Sequence, residues 1–426
     1  MAMAGVALCS VLAIPAQEVP NAPEPIIVPR ERALPDRLAE KPSQPPAFRI
    51  PVGPLGFSAP GAIYLGQRNS LVSLDFLDED RLLFTFRVPG LVHREAGEGE
   101  ERQIRAVVLK LPEGTVEAEA LWKVHDRQRY LWALSGGRFL LRDRNNLEMG
   151  DLSLELKPFL RFPGPLLWLE LDPTQQFLVT NSREPETAEN KPNETANSAN
   201  RNGSEQKPDV ATDLAVRILR RDSGKVILVS HSHSTVHLPI NSDGYLSSVR
   251  GRGDGWMLNL NYFNGGSNIL GRVESSCSPL FDFLSQREVL VTTCTPRGTE
   301  KLVAMTTDGR ELWNAQTSDE AIWPLVVRSP DGSRLAREAL AITHPISARS
   351  TLSQDDIKGQ LVEVINAVDG RVVLEAAASP ILDAGGNVAI SPSGSRVAIL
   401  NGGAIQVFEL PAPTRLPDSI VPPAGR

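Results

Sequence analysis

Val326-Val-Arg-Ser-Pro-Asp-Gly-Ser-Arg-Leu-Ala336 reads as two short apolar runs around a tight polar turn, and Val388-Ala-Ile-Ser-Pro-Ser-Gly-Ser-Arg-Val-Ala-Ile399 repeats it. Pro, Asp and Gly suit such a turn: Pro fixes φ, Asp bonds its own backbone, and Gly takes positive φ at no steric cost. Runs of four to seven apolar residues without a sustained 3.6 period are strands.

Working outward, the pattern returns at Leu74–Phe84, Leu131–Leu141, Leu167–Val179, Leu246–Leu260 and Leu280–Val291. In the Leu246–Leu260 copy, Gly251-Arg-Gly-Asp-Gly255 is the turn. A second turn, Asp-(Ser)-Gly-Lys/Arg before another apolar run, follows several copies, as at Asp222-Ser-Gly-Lys225, Asp308-Gly-Arg310 and Asp369-Gly-Arg371. Two hairpins per unit make a four-stranded propeller blade, and the spacing of the units predicts seven of them. The last unit supplies three strands, ending at Ala404–Leu410. An N-terminal strand is expected to complete it, either Gly61–Gly66 or Phe48–Ile50, because a propeller leaves no long open edge.

Ser329–Ala336 and Ser391–Ala398 resemble the first turn of bacterial WD-repeat-like propellers, and Thr307-Asp-Gly-Arg-Glu-Leu-Trp313 resembles the blade-closing segment of quinoprotein-like propellers. The resemblance implies an all-β propeller over residues 61–410. It leaves the function open.

The flanks differ from this body. Residues 1–16 are apolar or small up to a Pro-Ala-Gln and read as a signal peptide, although no Lys or Arg precedes Arg30. Residues 17–60 are Pro-rich and read as an extended tether, and residues 411–426 as a Pro-rich tail. Residues 181–208 contain no aromatic, Ile, Leu, Val or Met and read as a disordered insert within the domain. With 44 basic and 51 acidic residues the net charge is -7, which speaks against nucleic acid as a partner. No stretch of the mature chain is long and apolar enough to span a membrane. A monomeric, periplasmic or secreted protein is expected.

Cys277 and Cys294 flank the hairpin Leu280–Val291. With its turn at Ser285–Glu288, Cys294 faces Pro279 and Cys277 lies two residues further out, close enough for a disulfide in an oxidising compartment. His231, His233 and His237 form a histidine cluster. In one strand they would share a face and could converge on a metal, or they could line an exposed outer strand. No cofactor is expected. Arg252-Gly-Asp254 is a turn, as are Asp78, Asp172, Asp308, Asp331 and Asp369. The six tryptophans suit packing between blades. The functional expectation is a non-catalytic protein- or glycan-binding module of the bacterial cell envelope. The alternative is a propeller enzyme, a quinone-cofactor oxidoreductase or a hydrolase, with polar groups gathered around the central channel.

Overall fold

The computed structural model describes residues 43–59, 71–88, 93–95, 99–125, 129–184, 214–294, 300–317, 321–344, 353–382 and 385–413. The signal peptide, the tether up to residue 42, Gly61–Gly66, insert residues 185–208 and tail residues 414–426 lie outside this set. Among the described residues there is no α-helix, only single 3-10 turns at Gly53–Leu55 and Gln354–Asp356.

The strands form seven sheets arranged as a β-propeller. From the axis outward, blade 1 holds Ser73–Phe76, Arg81–Arg87, Gly99–Lys110 and Thr115–Val124. Blade 2 holds Leu131–Leu134, Arg138–Asp143, Asn146–Gly150 and Lys157–Arg161. Blade 3 holds Leu166–Leu171, Phe177–Arg183, Leu214–Arg220 and Val226–Ser232. Blade 5 holds Leu280–Phe283, Glu288–Cys294, Glu300–Thr306 and Glu311–Gln316. Blade 6 holds Ala321–Arg328, Arg334–Ile342, Ile357–Asn366 and Val372–Ala378.

Blade 7 takes its outer strand from the other end of the chain. Val388–Ile390, Arg396–Asn401 and Ala404–Glu409 are followed by Phe48–Pro51, with Phe48 opposite Val407 and Ile50 opposite Ile405. The closing strand is therefore the earlier of the two candidates. The folded body begins inside the stretch read as tether, because Ile50 and Val52 alternate inward and are buried.

Blade 4 corrects the sequence reading. Its regular strands are Gly244–Arg250, Gly255–Tyr262 and Ser267–Glu274. The Asn241 N–H donates to the Gly244 carbonyl, as the Leu77, Leu284, Ser329 and Ser391 N–H groups close the first turns of their own blades. Gly244–Arg250 is thus the second strand of the blade, and Asn241–Asp243 is its first turn. The innermost position belongs to the irregular segment Val236–Ile240, joined to the next strand by a single bridge between Ile240 and Tyr245. Arg252-Gly-Asp254 is a turn, but one between the second and third strands.

That inner segment is held by side chains of the preceding blade. Asn181 donates from Nδ2 to the Val236 carbonyl at 3.0 Å and accepts the Val236 N–H at 2.8 Å. Asn181 and Ser182 are fully buried in the strand Phe177–Arg183. Their polarity places them in the insert when composition alone is read, and the structure places them in a strand. Their amide and hydroxyl groups find partners inside, which is what makes burial tolerable.

Apolar burial is divided among seven clusters, one at each seam between neighbouring blades. Examples are Phe84 with Ile405 between blades 1 and 7, Leu83 with Phe139 between 1 and 2, and Leu290 with Leu335 between 5 and 6. A cluster at the 7–1 seam as well as the other six means that the ring is closed. Turn chemistry repeats around one face of the disc. Asp172 accepts the Thr174 and Phe177 N–H groups, and Asp331 accepts that of Ser333. Gly332 sits at φ +73°, and a Cβ there would stand 2.4 Å from the Leu284 carbonyl oxygen of blade 5. Only glycine meets both demands.

A disulfide joins Cys277 to Cys294, with Cα atoms 5.5 Å apart. Leu280 pairs with Thr292, one residue out of step with the expected register, so Cys294 stands level with Ser278 and next to Cys277. The bond ties the link leaving blade 4 to the second strand of blade 5.

Candidate functional site on the propeller axis

Three inner strands carry a carboxylate at the same place. Asp75, Glu170 and Asp282 pair with Leu83, Val179 and Leu290, each two residues before the residue that closes the first turn. The pattern is apolar-acid-apolar: Leu74-Asp75-Phe76, Leu169-Glu170-Leu171 and Phe281-Asp282-Phe283. The flanking side chains enter the seams and the acid faces the axis, as strand alternation requires.

Cations answer them. His237, on the inner segment of blade 4, is bonded through Nδ1 to Glu170 of blade 3, and its Nε2 donates to the Phe281 carbonyl of blade 5 at 2.7 Å. Asp282 Oδ1 lies 4.0 Å from the same Nε2. Burial pulls the imidazolium down, but Glu170, Asp282 and the Phe281 carbonyl together raise its pKa to about 9, so it is charged at neutral pH. Arg328, on the inner strand of blade 6, donates to the Phe283 carbonyl and, at 2.9 Å, to the Leu171 carbonyl of blade 3. Burial lowers its pKa against the pull of Asp282, Asp172 and Glu170. Arg129 stands near Asp75, which also accepts the Ser73 hydroxyl at 2.6 Å. Burial raises the Asp75 and Asp282 carboxyls, opposed by these cations. Protein surrounds Asp282, yet 48% of its side-chain surface stays open to water. The axis is therefore a narrow wet channel, and its charges are screened more than buried charges would be.

Both ring nitrogens of His237 are engaged and Arg328 is spent on two carbonyls. The group works as a set of cross-ties: His237 links blades 3, 4 and 5, and Arg328 links blades 3, 5 and 6. The sequence singles out His237 only together with His231 and His233, and the structure separates them. His231 is exposed on the outer strand of blade 3, opposite Ala215. The strand ends at Ser232, whose hydroxyl accepts the Ser234 N–H in a turn, so alternation does not carry on to His233 and His237. Among the described residues no group of three His, Cys, Asp or Glu is placed to hold a metal.

Where the first turns converge on the axis there is a cavity of about 210 Å³. Its walls are Phe76, Leu77, Ala133, Leu134, Pro330 and Pro392, from blades 1, 2, 6 and 7. Asp78, Glu79, Ser135 and Gln175 stand at its polar edge. That edge is fixed by bonds between blades: the Ser135 N–H donates to Gln175 Oε1 at 2.7 Å, and the Ser393 N–H to Glu79 Oε1 at 2.6 Å. Read along the chain, these residues are turn formers and no more. The signal that could have found the cavity is their shared position, since every first turn of a propeller ends on the same face near the axis.

No family model and no curated protein matches the chain. Solved structures that resemble it include the Pyrococcus horikoshii acylaminoacyl peptidase, 13% identical over 78% of this chain and 48% of its own, with a TM-score of 0.45. The WD40 domain of Toxoplasma gondii coronin is 10% identical over 85% of this chain and 86% of its own, with a TM-score of 0.41. The propeller domain of the Trilobed protease from Pyrococcus furiosus is 12% identical over 84% and 99%, with a TM-score of 0.42. The chain spans about half the length of the peptidase. At such identities the likeness concerns the fold alone; the chain's own seven sheets make it a β-propeller, and the structures similar to it include WD40 and other propeller domains.

Proposed function

We propose that this propeller is a non-catalytic binding module of the cell envelope, and that it takes an apolar side chain of a protein partner into the cavity at the centre of its turn face. The observation that carries the reading is the cavity itself: apolar walls from four blades, pre-formed by hydrogen bonds that need no ligand. A pre-organised apolar pocket with a few polar groups at its edge is the usual form of a binding site. Its walls are aliphatic side chains, two prolines and Phe76, which suits a Leu- or Phe-sized side chain better than a sugar ring. The axial charges support a binding role over an enzymatic one, because His237 and Arg328 already bond to Glu170 and to main-chain carbonyls. Export is supported by the apolar N-terminal segment and by the Cys277–Cys294 bond, which suits an oxidising compartment.

A random dodecapeptide phage library panned on the purified protein tests the binding role. Ser135→Trp places an indole over the cavity from an exposed position, and Ala133→Phe fills it from within. Enriched peptides should bind the parent protein and lose at least tenfold in affinity to either variant. Peptides that bind parent and both variants alike would refute the site.

A further inference from the structure

Each blade ends outward on a strand that bonds to a neighbour on one side only. Such an edge offers a row of unpaired N–H and C=O groups to any other chain, and charged side chains or prolines keep those chains away. Six of the seven outer strands carry a guard of this kind, as Glu375 stands in Val372–Ala378 and Pro158 in Lys157–Arg161. Val226–Ser232 of blade 3 reads Val-Ile-Leu-Val-Ser-His-Ser and has neither Lys, Arg, Asp, Glu nor Pro. Val226, Ile227 and Val229 are 38–49% exposed on it, three of nine large apolar side chains exposed among the described residues. Three more, Val249, Met257 and Ile269, belong to blade 4. Val249 pairs with Met257 and Ile269 with Asn259, while the alternating Leu246, Leu258 and Leu270 fill the seam with blade 5. These three therefore turn towards blade 3.

Main-chain donors and acceptors along an edge are matched by another strand and by little else. A second copy of this strand fits poorly. Paired antiparallel over its full length, it sets Val226 against Ser232 and Ile227 against His231; shifted until Val226 meets Val229, it pairs over four residues only. The strand is apolar over Val226–Val229 and polar over Ser230–Ser232, so its match is a strand of the opposite order. We infer that Val226–Ser232 is a docking edge for an extended segment of a partner protein, which joins blade 3 as a fifth, antiparallel strand. The segment is uncharged over its paired length, small and polar where it meets Ser230–Ser232 and then apolar where it meets Val226–Val229. Its side chains on the blade 4 side turn towards the wall that holds Ile269 and Met257. Blade 7 already takes a strand from a distant part of the chain on its own outer edge. This edge lies at the rim of the disc and owes nothing to the cavity.

The probe is a library of uncharged heptapeptides panned on Ser135→Trp, so that the cavity is blocked. Selected peptides should bind the parent protein equally well. They should lose about tenfold or more to Ile227→Lys, and to Val229→Glu, whose carboxylate stands opposite Arg217 and so spares the fold. Peptides lost to these two variants belong to the edge and do not count against the cavity. The second arm needs no variant. Each residue of the best peptide is N-methylated in turn and its binding to the parent protein is measured by fluorescence polarisation. Methylation at one set of alternate residues should cost about tenfold, and at the other set less than about twofold, because only every second N–H faces the edge. Equal sensitivity at all positions, or selected peptides indifferent to both variants, would overturn the inference, as would a library that yields no binder. Light scattering after size exclusion covers the remaining case: a parent dimer that Val229→Glu dissolves would assign the edge to a second copy and overturn the partner strand.

Discussion

Blades 7 and 4 each lack a regular strand where the local chain cannot supply one, and they make good the lack by opposite means. Blade 7 borrows Phe48–Pro51 for its outer edge, and the main chain pairs in register with Ala404–Val407. The join is apolar and continuous, and 17 buried residues line the adjoining seam. Blade 4 has its irregular position at the axis, where Asn181 takes both backbone groups of Val236 and His237 ties the segment to Glu170 and Phe281. Its seam with blade 3 has five buried apolar residues. An outer edge left open would invite other chains, so a ladder is needed there. An inner segment is shielded by the ring, so side chains suffice, and they leave charged groups facing the channel.

Removing the borrowed strand should have the largest effect. A chain beginning at Ser58 loses Ile50 and Val52 from the core, about 3–6 kcal/mol by apolar burial alone, and bares the edge of Ala404–Glu409. It should melt far lower and self-associate in size-exclusion chromatography. A chain beginning at Ser43 should match the parent in both. If the shorter chain is also unchanged, closure by main-chain pairing is wrong.

Asn181→Ala tests the other join. It leaves the half-buried Val236 N–H and carbonyl without their partner, at a cost of about 1–3 kcal/mol read from the urea midpoint. A loss below about 0.5 kcal/mol would mean that blade 4 holds its inner segment without blade 3, and the contrast with blade 7 would vanish.

His237→Gln should give the smallest effect and sharpen the comparison by its pH dependence. The folded pKa, about 9, lies above the unfolded value near 6.5, so folding favours the protonated ring. Its contribution is fully present below pH 6.5 and is lost as pH rises through 9. About a third of the side chain is exposed to the wet channel, so only about 1–2 kcal/mol is expected after screening. The stability gap between parent and variant should shrink by that amount from about pH 6 to about pH 9.5. A gap independent of pH would show that the ring acts by shape and not by charge.

Six of the seven first turns are legible in the sequence because a short polar break separates two apolar runs, and in five of them Pro, Asp or Gly occupies the break for local reasons. Blade 4 misleads because its true first turn, Asn241-Ser-Asp243, follows a segment of only one regular bridge, while the hairpin Gly244–Tyr262 after it has a clean apolar rhythm. The polar strand residues Asn181 and Ser182 look disordered when composition is read without partners. The carboxylates at the axis could have been found by aligning the inner strands on their turns, since Asp75, Glu170 and Asp282 then fall in one column. The cavity could not, because its walls lie far apart along the chain and meet only when the ring is closed.

Closure has a consequence for the order in which the chain takes shape during synthesis. Phe48 is among the first body residues made, and its partner Val407 is among the last. Until Ala404–Glu409 has left the ribosome, the early strand has no neighbour and blade 1 has an uncovered flank, because Phe84 and Ile405 belong to one cluster. Blades 2 to 6 can form as they emerge, but the ring cannot shut before nearly the whole body exists. So long-range a pairing is slow to find and is the step most exposed to a wrong partner. A partly made chain would carry six seams with the seventh waiting, a form well suited to being held open by a chaperone and closed only at the end.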